Sequence, residues 1–438
     1  MTADADPTSI DALSHPEPEE FQPDRSPRRP ADDPFYRAPA GFEQRVPGAI
    51  LRTRPVVMAL FGRIPQRISA WQLLYRTADL NGAPQVGVTT VLMQQHSTAT
   101  GPRPLVSFQC AIDAISGACF PSYALQHGAK ARGSVPQFEF IQIAHALSRG
   151  WVVSIPDHEG VNGHWIAPRE PGYRALDGIR AALNFAPLGL NPSTSIGLWG
   201  YSGGGLATVW TAEMASEYAP ELNIIGAVAG SPAGDPGSMF VHLNGSFFAG
   251  LVITAAEALR KVYPDMDRVI REYASPEGLA LLASTEDAST VGGVLQFANK
   301  DLDDYLDVPL GEVLALPEIA EIFREIKPGN NAPAMPMFIL QSVHDQLVRV
   351  ADIDALVRRY VAQDVHVEYV RDRLSEHLAL AAIATPTMAD WLADRFDGRP
   401  LAPAGSKTVW SVALNKRSGI GLVRALWQIA KMLLGMRL

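Results

Sequence analysis

Residues 193–219, "STSIGLWGYSGGGLATVWTAEMASEYA", pass from strand to turn to helix with almost no slack. The run up to Gly200 is apolar and strand-like, and from Leu206 the apolar positions recur at helical spacing. Between them stand Gly200, Tyr201, Ser202, Gly203 and Gly204, a Gly-x-Ser-x-Gly turn. A serine on so sharp a turn has a strained backbone, and bulky residues two positions to either side would collide with it. Gly200 and Gly204 leave that room. The turn lifts the Ser202 hydroxyl above the end of a sheet, and the Gly203 N–H, first in the helix, stays free for a developing oxyanion. The competing reading is a glycine-rich phosphate cradle. It would need a P-loop lysine or GxGxxG spacing with a downstream ribose acid, and neither stands here.

The surrounding chain supplies a sheet for such a turn. Residues 69–94 hold two strand-like runs about Asn81-Gly82, a hairpin signal. Strands are expected at 103–110, 151–157 and 222–231, with helices at 142–150 and 172–185. This alternation predicts an α/β fold with a mostly parallel sheet covered by helices on both faces. From 236 to 329 only helices are expected. Strands return at 335–342 and 365–370, with helices at 352–363 and 378–396. The chain therefore divides into an acidic, proline-rich tail (1–33) expected to be disordered, a first core part (34–235), a helical cap (236–329), a second core part (330–400) and a C-terminal extension (401–438).

A serine nucleophile needs a base, and the base an orienting acid, here in the order Ser, Asp or Glu, His. Asp345 stands in the loop just past the strand 335–342, and His377 in the loop after 365–370, at the start of a helix. Rivals are weaker. Asp352 and Asp354 fall at the next helix, Asp372 follows the strand that should deliver the histidine, His366 sits in a strand and His344 adjoins the acid. The second oxyanion donor is expected from the loop 107–128, at the N–H of Asp113 or its neighbour Ile112. The plain alternative is that Asp113 is only a turn residue.

Composition excludes some partners. A net charge of −9 with no basic stripe argues against nucleic acid, and no cofactor or metal pattern is present. No run of 18 uncharged apolar residues occurs, which argues against a transmembrane helix. Residues 1–33 lack the apolar core of a signal peptide, so a cytoplasmic or cell-associated protein is expected, with secretion as the alternative. Cys110 and Cys119 either close a small disulfide or remain buried thiols. Residues 239–255 are strongly apolar and either line an acyl channel or form the cap's core. Residues 419–438 contain no acid and set Arg424, Gln428 and Lys431 against Leu, Ile, Met and Trp427. That pattern suits a helix lying on a membrane or lipid droplet, or one docked on the core or a second subunit.

"DDPFYRAPAGFEQRVPGAILRTRPV", "CFPSYALQHG", "IPDHEG", "ALDGIRAAL", "GYSGGG" and "LSEHLAL" occur in the order seen in the secretory lipase family. The chain resembles that family, the Candida A-type lipases and their actinobacterial relatives, over roughly residues 33–398. The resemblance implies an α/β-hydrolase fold with a helical cap between the serine and acid strands. It also implies a metal-free carboxylic ester hydrolase that typically acts on triacylglycerols, a lipid or ester substrate. Carried over by motif, Ser202 is the nucleophile, Asp345 the acid and His377 the base, with oxyanion donors at Asp113 and Gly203. Two departures are the missing export signal and the extension beyond about 400. A short-chain carboxylesterase or a serine peptidase or amidase on the same fold are the alternative activities.

Overall fold

The computed structural model describes residues 26–95, 103–414 and 416–437. Ten strands make one sheet: β1 (Ile50–Pro55), β2 (Ile68–Ala78), β3 (Pro84–Gln94), β4 (Leu105–Gln109), β5 (Val152–Pro156), β6 (Ile196–Tyr201), β7 (Ile224–Gly230), β8 (Met337–Ser342), β9 (Val367–Asp372) and β10 (Gly405–Val409). Their spatial order is β1-β2-β3-β5-β4-β6-β7-β8-β9-β10. The first three pair antiparallel, and all pairings from β5 to β10 are parallel. β4, β5, β6 and β8 are buried along their whole length, as parallel strands covered on both faces must be. The expected hairpin is β2–β3, in register from Ile68↔Gln94 to Ala78↔Pro84.

Strand order reverses at β4. The chain leaves β4 for β5 on one side and then passes back to β6 on the other. Such a switch point opens a crevice beyond the carboxyl ends of the strands. It makes neighbours of Ser202, which follows β6, and the loop after Gln109, which ends β4.

The two faces of the sheet are covered by different helices. Leu198 joins a cluster with Leu176 and Ile179 of α2 (Glu170–Leu183) and Val209 of α3 (Gly203–Tyr218). The next residue, Trp199, points the other way, into a cluster with Phe140 of α1 (Pro136–Ser148). The helix expected from 142 starts earlier because Pro136 occupies its first position, where a missing N–H costs nothing.

Between β7 and β8 run α4 (Pro236–Leu243), α5 (Ala249–Val262), α6 (Pro264–Tyr273), α7 (Pro276–Ala283), α8 (Thr290–Gln296), α9 (Leu310–Leu314) and α10 (Pro317–Glu325). Among the described residues this segment pairs as sheet only at the isolated bridge Ala274↔Leu306. Most of the apolar stretch 239–255 packs inward: Phe240 meets Phe323 at 5.0 Å, and Leu243, Val252 and Ile253 are buried, while Val241 and Phe247 are exposed. It therefore forms the core of this helical segment, the plainer of its two readings.

After β8 come α11 (Val350–Val361), α12 (His377–Ile383), α13 (Thr385–Phe396) and α14 (Lys416–Leu433). The single helix expected over 378–396 is broken at Ala384 because Pro386 disfavours helical backbone before it and opens a new first turn. The extension 401–438 is not an appendage: β10 pairs parallel with β9 and continues the sheet. The tail needs the same correction. Residues 1–25 lie outside the described residues, but Pro30–Asp32 forms a 3-10 turn, and buried Asp33 pairs with Arg54 at 2.6 Å. Cys110 and Cys119 are buried free thiols.

Candidate active site

The elbow forms where β6 runs out and α3 begins. Ser202 takes φ 54° and ψ −123°, a region that side-chain-bearing residues rarely adopt. It is pinned by its own N–H donating to the Gly230 carbonyl (2.9 Å) and its carbonyl accepting from Leu206 N–H (3.0 Å). A Cβ on Gly204 would overlap the Gln109 carbonyl, and one on Gly200 would overlap the Gly204 carbonyl. Close backbone approach is therefore what both glycines serve. Ser202 is half-buried.

His377 Nε2 lies 2.9 Å from Ser202 Oγ, and its Nδ1 lies 2.7 Å from Asp345 Oδ2. The histidine and aspartate side chains are both buried. Asp345 is held on every side: Oδ1 accepts from Leu347 N–H (2.9 Å) and Val348 N–H (2.7 Å), and Oδ2 from Gln341 Nε2 (3.0 Å). Main-chain atoms of His377 are held as well. Its N–H donates to Gln346 Oε1 (3.1 Å) and its carbonyl accepts from Tyr201 OH (2.6 Å). The Tyr201 ring also stands 5.2 Å from the imidazole. Glu376 caps α12, accepting from Leu378 N–H (2.8 Å), Ala379 N–H (2.6 Å) and Gln346 Nε2 (2.7 Å).

Three residues far apart in sequence thus form one hydrogen-bonded relay. The rivals do not reach it. Asp352 binds Ser238 Oγ (2.7 Å) and Arg349, and Asp354 binds Tyr369 OH (2.8 Å) and Arg371. Asp372 accepts from Leu374, Ser375 and Val412 N–H groups, shaping the loop that leads to His377. His344 is exposed, and His366 stands just before β9.

The oxyanion side departs from expectation. Gly203 opens α3, where an N–H has no acceptor within the helix. Asp113, however, turns left-handed (φ 47°) and donates its N–H to Glu159 Oε1 at 3.2 Å. Its N–H is therefore already engaged rather than free. The Asp113 carboxyl lies against Gly203, where any added Cβ would overlap it, and its Oδ1 is buried without a partner. Burial pushes this carboxyl up to about 6, opposed by facing His377 and by Trp165.

The loop before it is held atom by atom. Ala111 N–H donates to Glu139 Oε2 (2.8 Å), the Cys110 carbonyl meets His158 Nε2 (2.7 Å), and the Ile112 carbonyl accepts from Thr290 Oγ1 of α8 (2.8 Å). Burial raises Glu139 to about 8 and Glu159 well above the usual carboxylate range, and it lowers His158 to about 4. These groups are mostly neutral at mildly acid pH. Glu139, Glu159, Gln346 and Glu376 were missed by sequence reasoning; only the carboxylate before the helix at His377 left a trace, as an N-terminal cap.

Residues 125–404 match the secretory lipase family. A Mycobacterium tuberculosis protein described as a probable inactive lipase is 48% identical over 431 residues, covering 98% of this chain and 97% of its own. Lipase A of Arthroderma benhamiae is 35% identical over 384 residues, 85% of this chain and 81% of its own. Among solved structures, lipase A of Candida antarctica superposes with a TM-score of 0.83 at 26% identity, over 92% of this chain and 95% of the other.

Proposed function

Since the chain belongs to the secretory lipase family, we propose that it is an active carboxylic ester hydrolase, a triacylglycerol lipase in lipid breakdown working through an acyl-enzyme. The observation that carries this reading is the relay from Ser202 Oγ through His377 to Asp345 at 2.9 and 2.7 Å. All its members are present and aligned, although one close relative is described as a probable inactive lipase.

Ser202 Oγ attacks the ester carbonyl as His377 Nε2 takes its proton, and Asp345 holds the Nδ1–H and stabilises the imidazolium. The tetrahedral oxyanion accepts from the Gly203 N–H. The Asp113 N–H joins as second donor when it exchanges Glu159 for the oxyanion, a contact of a kind typically worth about 3–4 kcal/mol. His377 then protonates the leaving alcohol, and a water repeats the cycle on the acyl group. The hydrogen bond from Thr290 to the Ile112 carbonyl ties the helical segment to this loop, so that segment acts as a lid whose movement adjusts the oxyanion site. The family's secretory description favours export over a cell-associated enzyme.

The test is hydrolysis of p-nitrophenyl esters from acetate to stearate and of emulsified triolein, with Ser202→Ala as control. Turnover of long-chain esters and triolein, abolished in the variant, is expected. Activity on short soluble esters alone would leave an esterase. No activity on any ester would place this chain with the relative described as a probable inactive lipase.

A further inference from the structure

The helix α14 is packed by the wrong side for an ordinary amphipathic helix. Gly421 sits against Pro386, Ala425 and Met432 are buried, and Gln428 bonds His145 Nδ1 (2.9 Å) and Ser148 Oγ. The Met432 carbonyl accepts from Gln66 Nε2 at 3.0 Å. The face that docks on α1 and α13 thus combines small and polar residues, Gly421, Ala425 and Gln428, with one large apolar anchor, Met432. The large apolar side chains point outward: Leu426 is 66% exposed, Trp427 61% and Val423 68%, with Ile420 and Leu434 beside them. On a 3.6-residue helix these positions lie together, opposite the docked face. Docking on the core therefore cannot be why they are apolar.

Charge selects the occupant. The whole chain carries 37 Lys and Arg against 46 Asp and Glu, yet residues 410–438 contain five Lys or Arg and no acid. Arg424 is exposed and Lys431 half-buried, about two turns apart along the same edge of the apolar face. A second copy meeting this face about a two-fold axis would bring like charges together. An anionic lipid surface takes both features, inserting Trp and Leu at headgroup depth and pairing the cations. No helix among the described residues is long and apolar enough to cross a membrane, so the geometry is that of a helix lying on it.

The exposed apolar surface also leads toward the candidate active site. Leu414 and Trp410 precede α14, and the Trp410 carbonyl accepts from Leu374 N–H at 3.0 Å. Exposed Leu374 and Leu378 flank His377 in sequence.

We propose that the outward face of α14 docks this protein on anionic phospholipid membranes. Binding is read without hydrolysis, so the proposal stands apart from the lipase reading. Full-length protein is floated with phosphatidylcholine vesicles, with and without phosphatidylglycerol, at low and high salt. Flotation with the anionic vesicles is expected, weakening with salt. It should fall at least about ten-fold in Leu426→Asp/Trp427→Asp and in Arg424→Glu/Lys431→Glu, with melting temperatures unchanged. No flotation of the parent protein, or equal flotation of the variants, overturns the proposal. So does a lipid-free dimer, seen by sedimentation, that the Asp variant splits; the face then belongs to a second copy.

Discussion

Ser202 carries a backbone that glycine adopts freely and serine does not, at φ 54° and ψ −123°. Strain of this kind costs ~1–3 kcal/mol and persists only because the surroundings over-determine it, here through the Gly230 and Leu206 backbone bonds. Ser202→Ala removes the hydroxyl and keeps the strain, whereas Ser202→Gly removes both. Both variants should be inactive, with the Gly form more stable than the Ala form by about 1 kcal/mol after glycine's larger unfolded-state entropy is allowed for. Urea denaturation compares them; equal midpoints would mean the elbow is unstrained. That Ser202, Asp345 and His377 come together was legible because a serine–histidine–acid relay would fix residue types, chain order and position at strand ends. Glu159 was not. Its partner is the N–H of Asp113, 46 residues away, and every non-proline residue offers an N–H, so such a pairing has no sequence signature.

At the scale of elements, the start of α12 holds the histidine in place. Pro386 ends one helix, and Glu376 starts it by accepting two N–H groups of its first turn. Because Glu376 also holds Gln346, whose Oε1 takes the His377 N–H, it is a positioning residue for His377, the base of the proposed relay. Glu376→Ala should cost about 1 kcal/mol as a lost cap and lower kcat about ten-fold with little change in KM, since orientation and not substrate contact is lost. Glu376→Gln, which keeps an acceptor oxygen, should recover most of kcat. A matching rise in KM in the Ala variant would instead place Glu376 against substrate. Long buried strands and the hairpin were legible from apolar runs and the Asn-Gly turn. β10 was not: "GSKTV" is polar and almost wholly exposed at the sheet edge, so it has neither a buried run nor an alternating face to betray it.

Across the whole molecule, burial of carboxyls sets the response to pH. Asp157 (about 7) accepts from Ser122, and Glu139 (about 8), Glu159 and Asp113 (about 6) line or hold the loop 110–113; burial raises each from an ordinary value near 4. Below about pH 4 these groups are protonated whether the chain is folded or not. As pH rises, the unfolded chain ionises first while folded Asp113, Asp157 and Glu139 keep their protons to about 6, 7 and 8, and Glu159 shifts in the same direction. The unfolded state then binds fewer protons, and stability falls. Glu170 acts oppositely: beside Arg174 and His164 its carboxyl is drawn down to about 2 against the effect of burial, and its contribution is lost only in strong acid. The melting temperature should therefore peak in mildly acid solution and decline between about pH 5 and 8. Glu139→Gln, which keeps an acceptor for Ala111 N–H without an ionisable proton, should flatten that decline between about pH 6 and 8. Melting curves from pH 4.5 to 8.5 test both statements. A melting temperature that climbs toward pH 8, or an unaltered slope in the Gln variant, would mean that water reaches these carboxyls and that the loop beside Gly203 is held more loosely than its hydrogen bonds indicate.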